Sequence, residues 1–154
     1  MPLTPLKFMH PQRELGPQPS YQVVIPSDTA EARRVQEQIE AQLQTARCHD
    51  HDLFSIKLAL EEALVNAIKH GNQYDRAKKV QISYQVLPDR FEILITDEGV
   101  GFDPADVPDP TAVENLERPC GRGLMLMRHY MTEVTFNDRG NAVVLSRALR
   151  NGRP

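Results

Sequence analysis

The chain has 154 residues, 40% of them hydrophobic, and a formal net charge of −3. That length and apolar content suit one domain with its own core and exclude a wholly disordered chain. The mild negative charge offers no basic patch of the kind nucleic acid selects, and no apolar run approaches the ~18 residues of a membrane span.

The two cysteines, Cys48 and Cys120, are far apart and fit neither zinc nor redox spacing. With no signal-peptide layout at the N-terminus, a reducing, cytoplasmic setting is predicted. Residues 1–20 hold Pro2, Pro5, Pro11, Pro17 and Pro19 and little periodicity, which predicts a flexible leader with no face to bury. Residues 21–150 read as the domain and 151–154 as a tail.

Tyr21–Ile25 suits a strand. Ser27 or Asp28 then caps a helix, with Glu31 as a capping-box or first-turn acid. Val35, Ile39 and Leu43 recur at i, i+4, i+8 and form one apolar stripe. In "CHDHD" (48–52) a metal site is one reading and a loop with a helix cap the other; the spacing fits no standard zinc pattern. A second helix is predicted from about Asp52 to His70, closed by Gly71. Its inward face carries Leu53, Ile56, Leu60, Ala63, Leu64 and Ala67. Glu62 and Asn66 lie one above the other on a different side, with Lys69 adjacent. That side is either an ordinary solvated face or a ligand surface, and His70 either shapes it or simply ends the helix.

"KKVQISYQVL" and "RFEILITD" alternate apolar and polar residues and predict two strands joined at Pro88–Asp89. "TDEGVGF" (96–102) ends the second strand with an acid and two spaced glycines. Asp97 suits a hydrogen bond from an exocyclic amine, and Gly99 and Gly101 let backbone approach a flat ligand. The plainer reading is a turn after a strand. Residues 103–120, rich in Pro and Asp, predict a loop. "GRGLMLMRHYM" predicts a short helix opened by glycines, whose N–H groups can cradle phosphate. Met125, Met127 and Met131 read as packing. "EVTFND" and "NAVVLSRAL" form a final hairpin around Arg139–Gly140. Arg147, Arg150 and Arg153 read as a solvated basic end. The predicted fold is α+β: a two-layer α/β sandwich with a mixed, mostly antiparallel sheet and helices on one face. Neither a Walker-type G-x-x-x-x-G-K-[ST] nor a complete G-x-G-x-x-G occurs.

"EEALVNAIKHG", "DEGVGF" and "GRGLMLM", in this order, resemble the GHKL-type, histidine-kinase-like ATP-binding fold shared by gyrase, the heat-shock chaperone, histidine kinases and MutL. The match covers roughly residues 20–147 and looks most like the stand-alone anti-sigma-factor serine kinases. The resemblance implies a catalytic base at Glu62 and a Mg²⁺-coordinating amide at Asn66. It implies an adenine-reading acid at Asp97, with Gly99 and Gly101 lining the base and Lys69 in the ATP-binding set. Residues 103–120 correspond to an ATP lid, and Gly121, Arg122, Gly123 and Leu124 to a phosphate-cradling turn. Where related chains often carry a threonine after the hairpin glycine, this chain has Asn141 and Ala142. The implied function is an ATP- and Mg²⁺-dependent serine/threonine protein kinase. It would bind a sigma factor and phosphorylate a small antagonist protein, and it would dimerise through the exposed edge of the first strand. The alternative is a non-catalytic regulator that senses ATP versus ADP.

Overall fold

Asp28 accepts a hydrogen bond from the Ala30 N–H at 2.8 Å and caps helix α1, Thr29–Thr45. Of the two predicted caps, Asp28 is the one used. The predicted stripe Val35, Ile39 and Leu43 is buried along α1, together with Ala32. Residues 6–8, 20–100 and 119–150 are described in the structure, a computed structural model; side chains are described for 20–100 and 123–150.

The strands are β1 (Leu6–Phe8), β2 (Tyr21–Pro26), β3 (Lys79–Val86), β4 (Arg90–Thr96), β5 (Glu133–Phe136) and β6 (Ala142–Ala148). They form one six-stranded sheet in the order β1-β5-β6-β4-β3-β2. Only β1 against β5 is parallel, so the sheet is mixed and mostly antiparallel, as predicted. The register aligns Val23, Ile82, Ile95, Val143 and Phe136 in one row across five strands. The core lies between that face and the helices, where Ile39, Ile56, Leu60 and Leu64 meet Ile82, Ile93 and Leu145. Such burial supplies most of the driving force for folding.

Two predicted boundaries change. Within the predicted leader, Leu6–Phe8 pairs with β5. Strand pairing uses backbone groups, so a three-residue strand leaves no side-chain pattern to read. The second helix, α2, runs Asp50–Val65 and is followed by a π-helical turn, Asn66–Gly71.

The predicted solvated basic end is also corrected at Arg147. Asp52 is fully buried in the first turn of α2. The Arg147 guanidinium donates to its Oδ1 at 3.0 and 2.8 Å, and the Arg150 N–H donates to its Oδ2 at 3.1 Å. Arg147 also donates to the Tyr130 carbonyl at the end of helix α3, Pro119–Tyr130. One ion pair thus ties three elements together. Among the described residues, no helix is long and apolar enough to cross a membrane.

Candidate active site

Asn66 follows Glu62 by one helical turn, and at Asn66 the helix widens. The Asn72 N–H bonds to the Ala67 carbonyl at 2.8 Å, five residues back. Single π-turns of this kind concentrate at functional sites. Here the turn sets Asn66, His70 and Gly71 along a cleft of about 120 Å³. Apolar walls come from Ala63, Ile95, Leu124, Met127 and Phe136, and the polar groups are Asn66, His70, Asp97 and Asn141. A mostly apolar slot with a few aimed polar groups suits a flat heterocycle.

Asp97 lies at the end of β4 and is 9% exposed. Burial raises its carboxyl pKa, opposed by the Gly99 N–H that donates to Oδ1 at 2.8 Å and by the charges of Arg139 and Lys78. Two missing side chains make room around it. A Cβ on Gly71 would stand 2.4 Å from Asp97 Oδ2, and one on Gly99 would stand 2.0 Å from the Gly71 carbonyl oxygen.

The third motif closes on the first. A Cβ on Gly123 would lie 2.9 Å from both Glu62 Oε2 and Asn66 Nδ2. α3 therefore packs bare backbone against the acid–amide pair. Glu62 is half-buried rather than fully outward. Burial, and secondarily the charge of Glu61, raise its carboxyl pKa. His70 is shifted down, by burial first and then by Lys69.

Asn66, Asp97 and Leu124 line the cleft, with Glu62, Gly99 and Gly123 directly beside them. Lys69 is exposed and is not part of the cleft lining. Gly101 and most of the predicted lid, 103–120, lie outside the described residues, as does the side chain of Arg122.

Sequence reasoning did not place Asn72 or Asn137 and left Asn141 without a contact. Asn72 is fully buried; its Nδ2 donates to Ser27 Oγ and the Lys79 carbonyl, and its Oδ1 accepts from the Glu98 N–H at 2.8 Å. Asn141 donates to the Asp97 carbonyl at 3.1 Å. An asparagine next to a glycine or in a hairpin turn is the only local hint.

The two-layer sandwich and its acid–amide, Asp-Gly and Gly-rich cleft define an ATPase-type domain. The chain belongs to the histidine kinase-like ATPase domain family, whose model matches residues 25–147. It is 33% identical to the serine-protein kinase RsbW of Bacillus licheniformis over 111 residues, 66% of this chain and 68% of that protein. It is 31% identical to an anti-sigma F factor of Clostridium perfringens over 104 residues, 64% of this chain and 74% of that protein. The crystal structure of RsbU and RsbW domains from Mycobacterium tuberculosis superposes with a TM-score of 0.54 at 14% identity. That match covers 89% of this chain and 34% of the solved chain, and it reflects the shared fold.

Proposed function

We propose that the protein is an ATP-dependent serine/threonine kinase that acts as an anti-sigma factor in a partner-switching circuit. Its substrate would be a serine on a small antagonist protein, its other partner a sigma factor, and its setting the cytoplasm. The observation that carries this reading is the meeting of Glu62, Asn66 and Gly123, drawn from two motifs far apart in sequence.

Each side chain has a role its environment suits. Asp97 accepts a hydrogen bond from the adenine amino group, and Gly71 and Gly99 let its carboxyl and the π-turn backbone pack together without a clash. Asn66 would hold Mg²⁺ through its amide oxygen, a fitting donor for a hard, oxygen-seeking cation. When bound, Mg²⁺ neutralises phosphate charge. Gly121, Arg122 and Gly123, near the N-terminal end of α3, are the residues that the family resemblance assigns to the phosphates. Glu62 takes the proton of the serine hydroxyl as its oxygen bonds the γ-phosphorus and the bond to the leaving ADP oxygen breaks. Its raised pKa brings it closer to the range useful for a general base.

The relatives named above as kinases and anti-sigma factors support the same reading. We also infer a homodimer through β2, an edge strand on which Tyr21 is 55% and Val24 61% exposed. Analytical ultracentrifugation giving only monomer would remove that part.

Incubation of Mg²⁺ and γ-labelled ATP with a lysate of the source cells tests the main proposal. The expected product is an acid-stable label on one small protein, absent with Glu62→Ala. Bound ATP with no labelled protein would instead favour a nucleotide-sensing regulator.

A further inference from the structure

The peptide between Asp97 and Glu98 is held at both ends by asparagine side chains. Its carbonyl accepts from Asn141 Nδ2 at 3.1 Å, and its N–H donates to Asn72 Oδ1 at 2.8 Å. The register of β4 and β6 explains the first bond. Thr96 pairs with Ala142, so the next antiparallel pair is Asp97 with Asn141. One of its two backbone bonds is made, from the Asp97 N–H to the Asn141 carbonyl at 2.9 Å. The reciprocal donor is diverted, because the Asn141 N–H bonds to Asn137 Oδ1 at 3.1 Å. The side-chain amide of Asn141 takes its place and continues the ladder by one bond. Asn141 is itself anchored, since its Oδ1 accepts from Asn137 Nδ2 at 2.7 Å. With both ends of the 97–98 peptide bound, the backbone that carries the Asp97 carboxylate has little freedom to rotate.

We propose that Asn141, held by Asn137, is a positioning residue for base recognition: it fixes the 97–98 peptide and so aims the Asp97 carboxylate. This rests on the reading of Asp97 as the group that meets the adenine amino group. Neither asparagine need touch the base for this effect. It follows that losing the clamp weakens discrimination between bases more than it weakens the grip on the rest of the nucleotide.

Calorimetric Kd values for ATP and for inosine triphosphate, which lacks the amino group, test this on the full chain. Asn141→Ala, Asn137→Asp and Asp97→Ala are compared with wild type. Asn137→Asp keeps an oxygen to accept from the Asn141 and Ala142 N–H groups, and replaces the donor to the Asn141 side chain by a charged acceptor that repels its Oδ1. The turn is thus preserved while Asn141 is released. Wild type is expected to prefer ATP, and both asparagine variants to narrow that preference, Asn141→Ala by about threefold to tenfold, the scale of one hydrogen bond. A purely structural role would lower Tm and weaken both nucleotides equally; an unchanged ratio in both variants overturns the proposal. If Asp97→Ala abolishes the preference while the asparagine variants keep it, only the positioning role falls. If Asp97→Ala also keeps it, the reading of Asp97 falls and takes this inference with it.

Discussion

Gly99 and Gly71 meet backbone to backbone: a Cβ at 99 would stand 2.0 Å from the Gly71 carbonyl oxygen and 2.5 Å from its carbonyl carbon. No rotamer change relieves such a clash, so strand end and π-turn must separate. Gly99→Ala is expected to destabilise by about 3 kcal/mol, the upper part of the overpacking range. Gly71→Ala presses instead on the Asp97 carboxyl, which can turn away at the expense of nucleotide binding. Denaturant melts and ATP titrations of the two variants should therefore rank in opposite orders.

Gly123→Ala separates stability from function in another way. The added methyl would crowd the ends of the Glu62 and Asn66 side chains at 2.9 Å, and both can shift. Alanine also favours the helix over glycine by roughly 1 kcal/mol. Tm should hold or rise, while phosphoryl transfer falls by about a hundredfold, as small misplacements of reacting groups do. A variant with wild-type transfer would break the link between α3 and the acid–amide pair.

Glu62 predicts a pH dependence. Its carboxyl is shifted upward by burial and by Glu61, and only its deprotonated form can accept a proton. The rate of transfer should therefore rise with pH through a limb lying above the ordinary glutamate value of about 4.3. Glu62→Gln should lose about 10²- to 10⁴-fold in rate and lose that limb, with ATP affinity kept. The pH–rate profile under single-turnover conditions is the measurement.

Asp97 works against the stability of the protein that it serves. Its raised carboxyl pKa means that the folded state binds this proton more tightly than the unfolded state. The stability so contributed is present in acid, below the unfolded carboxylate pKa, and lost as pH rises through the folded one. At neutral pH the buried charge is a burden that Asp97→Asn removes, while its amide oxygen can still accept from Gly99. Thermal melts without nucleotide should place the variant at or above wild type at pH 7, and ATP binding should drop sharply. A lower Tm at pH 7 would contradict the sign.

Arg147→Ala leaves the fully buried Asp52 without its guanidinium partner. A loss of about 3–5 kcal/mol is expected, the usual consequence of stranding one member of a buried pair. Replacing both residues by apolar ones of similar volume should recover much of it. Equal losses in the single and double variants would mean that pairing is not what matters there.

The sequence by itself determined the order and type of the main elements and the three motifs of the cleft. Caps, turns and apolar periodicity are local signals: Asp28 heads α1 and the stripe Val35, Ile39, Leu43 is buried because neighbours along the chain dictate both. The motif resemblance likewise picks out Asn66 and Asp97, which line the cleft. Tertiary structure alone decided the pairing of Leu6–Phe8 with β5, the burial of Arg147 on Asp52 across 95 residues, and the asparagine clamp on Asp97. Those relationships join residues far apart in sequence through single polar groups. No periodicity announces them, and they exist only once the sheet register and helix packing have brought their partners within bonding distance.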